Sequence, residues 1–332
     1  MPYPRSKIVN ESCTPYYHVI SRCVRRTYLC GFDRQTGESF EHRKSWVEKR
    51  IIYLANTFSI GVCAYAVMSN HVHLVIHINK QESANMSDHN VVARWHRISV
   101  GTQETAIFLE TKSYPSDPLV KRRLKLKIEE YRSRLSDLSW FMKYLNEYIA
   151  RRANKEDDCT GHFWEGRFKS YAILDDKALI TCMAYVDLNP IRAHVAKSID
   201  QSLHTSIYKR ITSARKGWCL NSLVPFKNDK LNNSSLPAIN MTLLDYLSLL
   251  KSTKEYLFEK HSVKSLIPEL KKMSFNSESW LHTINDMEIM FPVAIGNVVS
   301  LEQYKKSTGR KRIKGAANML RLYCDNNQPP TY

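Results

Sequence analysis

The sequence predicts an α+β fold followed by a helical extension, and three observations predict it. Strand-like runs rich in β-branched and aromatic residues stand in the first third and again near residue 170. Segments with apolar residues at helical spacing alternate with them. Beyond a polar stretch at Asn228 to Pro237, the remaining segments read as helices only.

The elements follow in chain order. Tyr16 to Arg26, YYHVISRCVRR, has strand composition. Phe40 to Phe58 places Trp46, Ile51, Leu54 and Phe58 at helical spacing, and Asn56 to Gly61 closes that helix. Gly61 to Met68 and His71 to Ile78 read as two strands, with Ser69-Asn70 as a two-residue turn between them. The pair is apolar enough to be a central, buried hairpin. Asn79 to Arg134 is polar and charged, and reads as short helices and loops that include KRRLKLK at Lys121 to Lys127. Leu138 to Ala153 predicts a helix, aromatic on one side and basic at its end. His162 to Leu174 is strand-like. Asp175 and Asp176 are helix-start residues. The helix they open must stop near Asn189, because Pro190 disfavours helical geometry in the residue before it. The expected division is therefore residues 1–227 and a separate helical, basic extension over 236–332.

Composition narrows the function classes. The chain has 332 residues, 43% hydrophobic and 24% charged, which is ordinary for a globular protein. Lys and Arg number 49 against 32 Asp and Glu, a formal net charge of +17 that favours a polyanionic partner. No apolar run reaches spanning length and no secretory signal opens the chain, so no membrane association and a cytoplasmic location are expected. The eight cysteines form no C-x2-C pair and read as reduced thiols. Neither G-x-G-x-x-G nor a phosphate-binding G-x4-G-K-[ST] occurs, which argues against nucleotide-binding folds of those types.

Two spacings carry chemistry. In His71-Val72-His73 the imidazoles stand two apart on a strand, so both point to one face and converge like a pair of metal ligands. With 12 His in the chain, chance alone supplies roughly 0.4 such triplets, and a polar strand face is the plain alternative. Tyr185 and Asn189 lie four apart near a helix end, which stacks a phenol and a carboxamide on one face. The amide oxygen is a hard ligand. Half-buried packing for the tyrosine and a helix terminus for the asparagine are the alternatives.

The order of the elements adds information. A strand, a helix, a hairpin with H-x-H on its second strand, inserted helices, a further strand, and a helix bearing a tyrosine resemble the single-tyrosine HUH transposases (HUH for His, hydrophobic, His), and among them the REP-associated tyrosine transposases. The residues that carry the resemblance are YYHVISRCVRR at Tyr16 to Arg26, YAVMSNHVHLVI at Tyr65 to Ile76, FWEGRFKS at Phe163 to Ser170 and DDKALITCMAYVDLNPIRA at Asp175 to Ala193. It covers about residues 10–200, and looser likeness continues in LLDYLSLL and GRKRIKGAANMLRLY.

The resemblance implies a central antiparallel sheet of the HUH endonuclease type with flanking helices, completed by an all-helical extension. It implies an enzyme that cleaves and rejoins single-stranded, hairpin-bearing DNA (REP-like or a transposon end) through a 5′-phosphotyrosine, using one divalent cation, Mg2+ or Mn2+. By position Tyr185 matches the nucleophile, His71 and His73 the metal ligands, and Asn189 the third ligand on the tyrosine helix. Residues 1–227 would be the catalytic domain and 236–332 a basic DNA-binding unit. A homodimer and a nucleoid-associated location are compatible with it. Two alternatives stand beside it: a domesticated DNA-binding protein of the same family that no longer transposes, and a basic RNA-binding protein with a structural H-x-H strand.

Arg22, Arg25, Arg26, Arg167 and Lys169 sit in or beside the matched strands and are candidate phosphate contacts. Trp164 and Phe168 alternate with them as candidates for base stacking or for core packing. The clusters Lys121 to Lys127 and Lys305 to Lys314 could contact DNA nonspecifically or simply face solvent. His18 could approach the site or be a satisfied core histidine. His77 could support it or be partly exposed. Asp187 faces elsewhere on the helix and reads as structural.

Overall fold

The structure, a computed structural model, describes residues 13–24, 30–32, 37–218, 220, 222–227, 229, 236–258, 268–273 and 275–323. The fold is α+β, built on one five-stranded sheet. Its strands are β1 (Tyr16–Arg22), β2 (Ile60–Val67), β3 (His71–Ile78), β4 (Lys169–Ile173) and β5 (Ala294–Ile295), in the order β2-β3-β1-β4-β5. β1 runs antiparallel to both β3 and β4, and β2 antiparallel to β3. The hairpin predicted at Ser69-Asn70 is present, with Met68 N–H donating to the His71 carbonyl at 2.9 Å.

The helices are α1 (Arg43–Ala55), α2 (Lys80–Asn85), α3 (Asp88–His96), α4 (Gln103–Thr111), α5 (Pro118–Leu135), α6 (Leu138–Glu156), α7 (Asp176–Asp187), α8 (Asn189–Arg192), α9 (Ser206–Arg215), α10 (Leu243–Phe258), α11 (Pro268–Lys272), α12 (Ser277–Met290), α13 (Val298–Ser307) and α14 (Ala316–Tyr323). α1 and α6 cover one sheet face: Ser21 of β1 accepts from Asn146 of α6, and Tyr65 of β2 donates to Glu48 of α1. α7 covers the other. Every residue of α7 from Ala178 to Asp187 is buried, as expected of a helix that is apolar all round. It lies between the sheet and α12. Asp175 caps it, accepting from Ala178 N–H at 2.8 Å, and also accepts from the Asn297 backbone N–H at 2.6 Å. One carboxylate thus joins the start of α7 to the loop that follows β5.

Several expectations are corrected. The sheet is not wholly antiparallel, because β5 pairs parallel with β4 (Ala172 with Ala294, Ile173 with Ile295). The same strand shows that the C-terminal segment is not all-helical. Two residues of strand carry no readable period. Of His162 to Leu174 only Lys169–Ile173 is strand, and the preceding residues touch the sheet through one bridge, Trp164 to Cys23. Asn189 is not on the tyrosine helix. Leu188 closes α7, and Asn189 opens α8 with Pro190 in its first turn, where the absent N–H is not needed. Most of the linker expected at Asn228 to Pro237 lies outside the described residues, as do Cys219 and Cys324. None of the six described cysteines forms a disulfide. No helix among the described residues is long and apolar enough to cross a membrane.

Candidate active site

The antiparallel register sets the histidines. Ile20 pairs with His73 and Arg22 with His71, so His18, Ile20 and Arg22 of β1 share the face that His71 and His73 occupy. His18 Nε2 lies 3.0 Å from His73 Nδ1, with the two rings stacked at 13°. On its other side His73 Nε2 lies 3.1 Å from the Asn189 side-chain amide. The network is consistent with His73 donating from Nδ1 to His18 and keeping a lone pair on Nε2. The His71 ring stands edge-on to that of His73, with centroids 4.7 Å apart, and its Nδ1 is paired with Asn70 Oδ1.

These imidazoles are held neutral. Burial, with the charges of Arg22 and Arg192, pushes His71 down to about 4. Burial pushes His18 down to about 3, and burial plus the neighbouring rings and arginines puts His73 well below the usual range. Neutral imidazole is the form that binds a cation.

Tyr185 projects from α7 onto the same patch. Its ring centroid is 5.7 Å from that of His73 and 5.8 Å from that of His18, both edge-on. The residue is only 5% exposed. Its hydroxyl donates to Glu288 Oε1 of α12 at 3.0 Å, and Arg22 donates to the other Glu288 oxygen at 3.0 Å. The Arg192 guanidinium lies 4.3 Å from the Tyr185 ring centroid and donates to the Asn285 carbonyl at 2.7 Å. Burial, then the Glu288 charge, raise the phenol well above the ordinary tyrosine value, with Arg192 opposing.

A divalent cation is compatible with the donor set. Neutral imidazole is a common metal ligand, and the amide oxygen is a hard donor of the kind Mg2+ and Mn2+ take. Adjacent ligands about 2.1 Å from an octahedral cation stand about 3.0 Å apart, close to the 3.1 Å between His73 and Asn189. An amide rotated end for end would present its oxygen there. Among the described residues no group of three or more His, Cys, Asp and Glu side chains could hold a metal, so the amide is needed to complete a three-ligand set.

The structure thus brings together Tyr185, His71, His73 and Asn189, with Arg22 at their rim. Arg167 and Lys169 are exposed and line, with Arg22, Ile20 and Glu165, a cavity of about 330 Å³ beside the site. Arg25 and Arg26 lie outside the described residues. Trp164 is half-buried with its indole N–H bonded to the Asn146 carbonyl at 2.8 Å, and Phe168 is half-buried against the core. His77 is buried against Tyr16, with ring centroids 4.8 Å apart. Asp187 is buried and accepts from Ser206, the Ile207 N–H and Tyr246. The Lys121 to Lys127 cluster lies on α5, where Lys121 and Lys125 sit over the Tyr114 ring and Lys127 pairs with Glu130.

Sequence reasoning left His18 undecided and did not find Arg192 or Glu288. Arg192 stands inside the matched LNPIRA segment, and that was its only signal. Glu288, in INDMEIM, has none: no spacing or motif ties it to residue 185.

No protein-family profile matches the sequence, and no curated protein matches it. Among solved structures, the chain is similar to a REP-associated tyrosine transposase bound to a REP hairpin, at 12% identity and a TM-score of 0.38, over 72% of this chain and 99% of that one. A likeness that loose carries neither fold nor function across.

Proposed function

We propose that the protein is a DNA strand transferase of the single-tyrosine HUH type, cleaving and rejoining single-stranded, hairpin-bearing DNA through Tyr185. One observation supports the reading above others: a tyrosine from a buried helix, two neutral imidazoles two apart on a strand, and a carboxamide meet on one patch beside an arginine- and lysine-lined cavity. A phenol that titrates near 10 is a poor nucleophile at neutral pH. A divalent cation bound by His71, His73 and Asn189 would polarise the scissile phosphate and offset its developing charge. Arg22, Arg167 and Lys169 hold the strand by its phosphates. Tyr185 attacks phosphorus, giving a 5′-phosphotyrosine and a free 3′-hydroxyl. The covalent link keeps the phosphodiester energy, so a second 3′ end reverses the step without ATP. The basic segment around Lys305 to Lys314 extends the nonspecific grip on DNA.

One observation favours the rival, a DNA-binding protein without strand transfer: the Tyr185 hydroxyl is already bonded to a carboxylate, and the residue as a whole is almost fully covered. Incubation with hairpin-bearing single-stranded DNA and Mn2+ separates the two. The expected outcome is a denaturant-resistant protein–DNA adduct that Tyr185→Phe reduces by about 10³-fold or more while DNA binding stays intact. An adduct that survives in Tyr185→Phe assigns the wrong nucleophile, and binding with no adduct in the wild type establishes the rival.

A further inference from the structure

We infer that Glu288, carried by the C-terminal helix α12, is a catalytic residue that takes the proton of Tyr185 as it attacks and delivers a proton to the phenolate when the strand is rejoined. The inference rests on the strand-transfer reading and supplies the proton acceptor that reading lacks. The imidazoles are poorly placed for the task. His73 is engaged at both nitrogens, by His18 at 3.0 Å and Asn189 at 3.1 Å, and His71 Nδ1 is paired with Asn70. Glu288 Oε1 instead accepts directly from the Tyr185 hydroxyl at 3.0 Å, within the range a proton acceptor needs. Its second oxygen is held by Arg22 at 3.0 Å, which fixes the carboxylate plane while Oε1 faces the phenol.

The helix that brings Glu288 there is firmly seated. Trp280, Thr283, Ile284 and Met287 are buried on its inner face, and the Trp280 indole N–H bonds Thr253 of α10 at 3.1 Å. Met287, one residue before Glu288, packs its sulfur 3.6 Å from Cys182 Sγ, on the tyrosine helix itself. α12 departs from helical geometry at Asp286 (φ −124°, ψ 26°), between Asn285, whose carbonyl Arg192 holds, and Glu288. Gly315, at φ +95°, lies so close to the Met290 carbonyl that no side chain fits there, which packs the end of the helix against the loop before α14. A carboxylate anchored on both sides is a built part of the site, not a loose cover.

The step balances as follows. The Tyr185 O–H bond breaks and its proton passes to Glu288 Oε1. The Oη–P bond forms as the P–O3′ bond breaks, and the electron pair leaves on the 3′ oxygen. That oxygen is protonated by water, which is repaid when Glu288 releases its proton to solvent. On rejoining, the 3′-hydroxyl of the incoming end loses its proton to solvent, Glu288 takes up one proton from solvent, and it passes that proton to the departing phenolate.

The test is single-turnover adduct formation by the full chain on hairpin-bearing single-stranded DNA with Mn2+. Glu288→Gln keeps the size and the hydrogen bond but not the base, and is expected to slow adduct formation by about 10²-fold or more with DNA affinity within about twofold. Glu288→Ala is expected to be equally slow and to recover at least tenfold when formate is added, a rescue that a purely structural role does not give. Adduct formation at the wild-type rate or faster in Glu288→Gln would overturn the inference and make the carboxylate a cover that DNA displaces. Absence of any adduct in the wild type overturns the strand-transfer reading, and the Glu288 assignment with it.

Discussion

The two sides of the candidate site are held by different means. His18, His71 and His73 stand on neighbouring strands whose spacing is set by the backbone ladder between β1 and β3. Glu288 reaches the same place from a helix more than a hundred residues further along, held by the side chains packed beneath α12. The strand side is as rigid as the sheet, whereas the helix side is only as fixed as its packing. The charges divide in the same sense. The histidine side is uncharged, fit to hold a cation, while Arg22, Glu288 and Arg192 at the rim are polar enough to handle a phosphate and a hydroxyl.

The sharpest way to break this comparison is to unseat the helix alone. Trp280→Ala, at a fully buried site bonded to Thr253, is expected to remove about 3–5 kcal/mol. Proteolysis should then cut α12 first, while amide exchange in β1 and β3 stays slow. Equal loss of protection in the strands would show that the two sides form one cooperative unit.

The next test addresses the strand side. His18 orients His73 through the 3.0 Å contact and lies outside the ligand set. His18→Gln is expected to weaken Mn2+ binding about 10–100-fold, read by titration of the metal without DNA. Unchanged affinity would remove His18 from any supporting role. Wild-type protein that binds no Mn2+ in the same titration would remove the cation site itself.

The smallest expected effect lies behind the sheet. Glu48 of α1 accepts from Tyr65 at 2.7 Å and His204 at 2.8 Å, with Lys209 3.6 Å away. Burial alone would raise its carboxyl, but these partners more than reverse that and leave it below the ordinary value of 4.5. Its stabilising contribution is therefore complete above the unfolded carboxyl range and is lost as pH falls through the lower folded value. Glu48→Gln should lose about 1 kcal/mol at neutral pH and flatten the decline of stability in acid. A denaturation series against pH that runs parallel to the wild type would refute this. A loss confined to the α1–β2 body, with α12 unaffected, would sharpen the contrast between the two regions.

How much was legible follows from how far each signal reaches. The H-x-H spacing is a local consequence of strand geometry, so the sequence placed His71 and His73 on one face. Asp175 at a helix start and the helix after it were readable for the same reason, since a cap and a helical period act within a few residues. The two-residue strand β5 was not, because it exists only by pairing with β4. Asn189 was placed one element too early, because the break between α7 and α8 depends on how Leu188 closes one helix and Pro190 opens the next.

By itself the sequence determined the strand and helix periods, the basic surplus, and which tyrosine and histidines share a local pattern, because each of these is set by neighbours in the chain. Only the tertiary structure decided that His18 supports His73, that Arg192 lies over the tyrosine ring, and that Glu288 receives its hydroxyl. Those contacts join residues 55 to 103 apart or cross between separately formed elements. Their positions are fixed by sheet register and core packing, which no local spacing encodes.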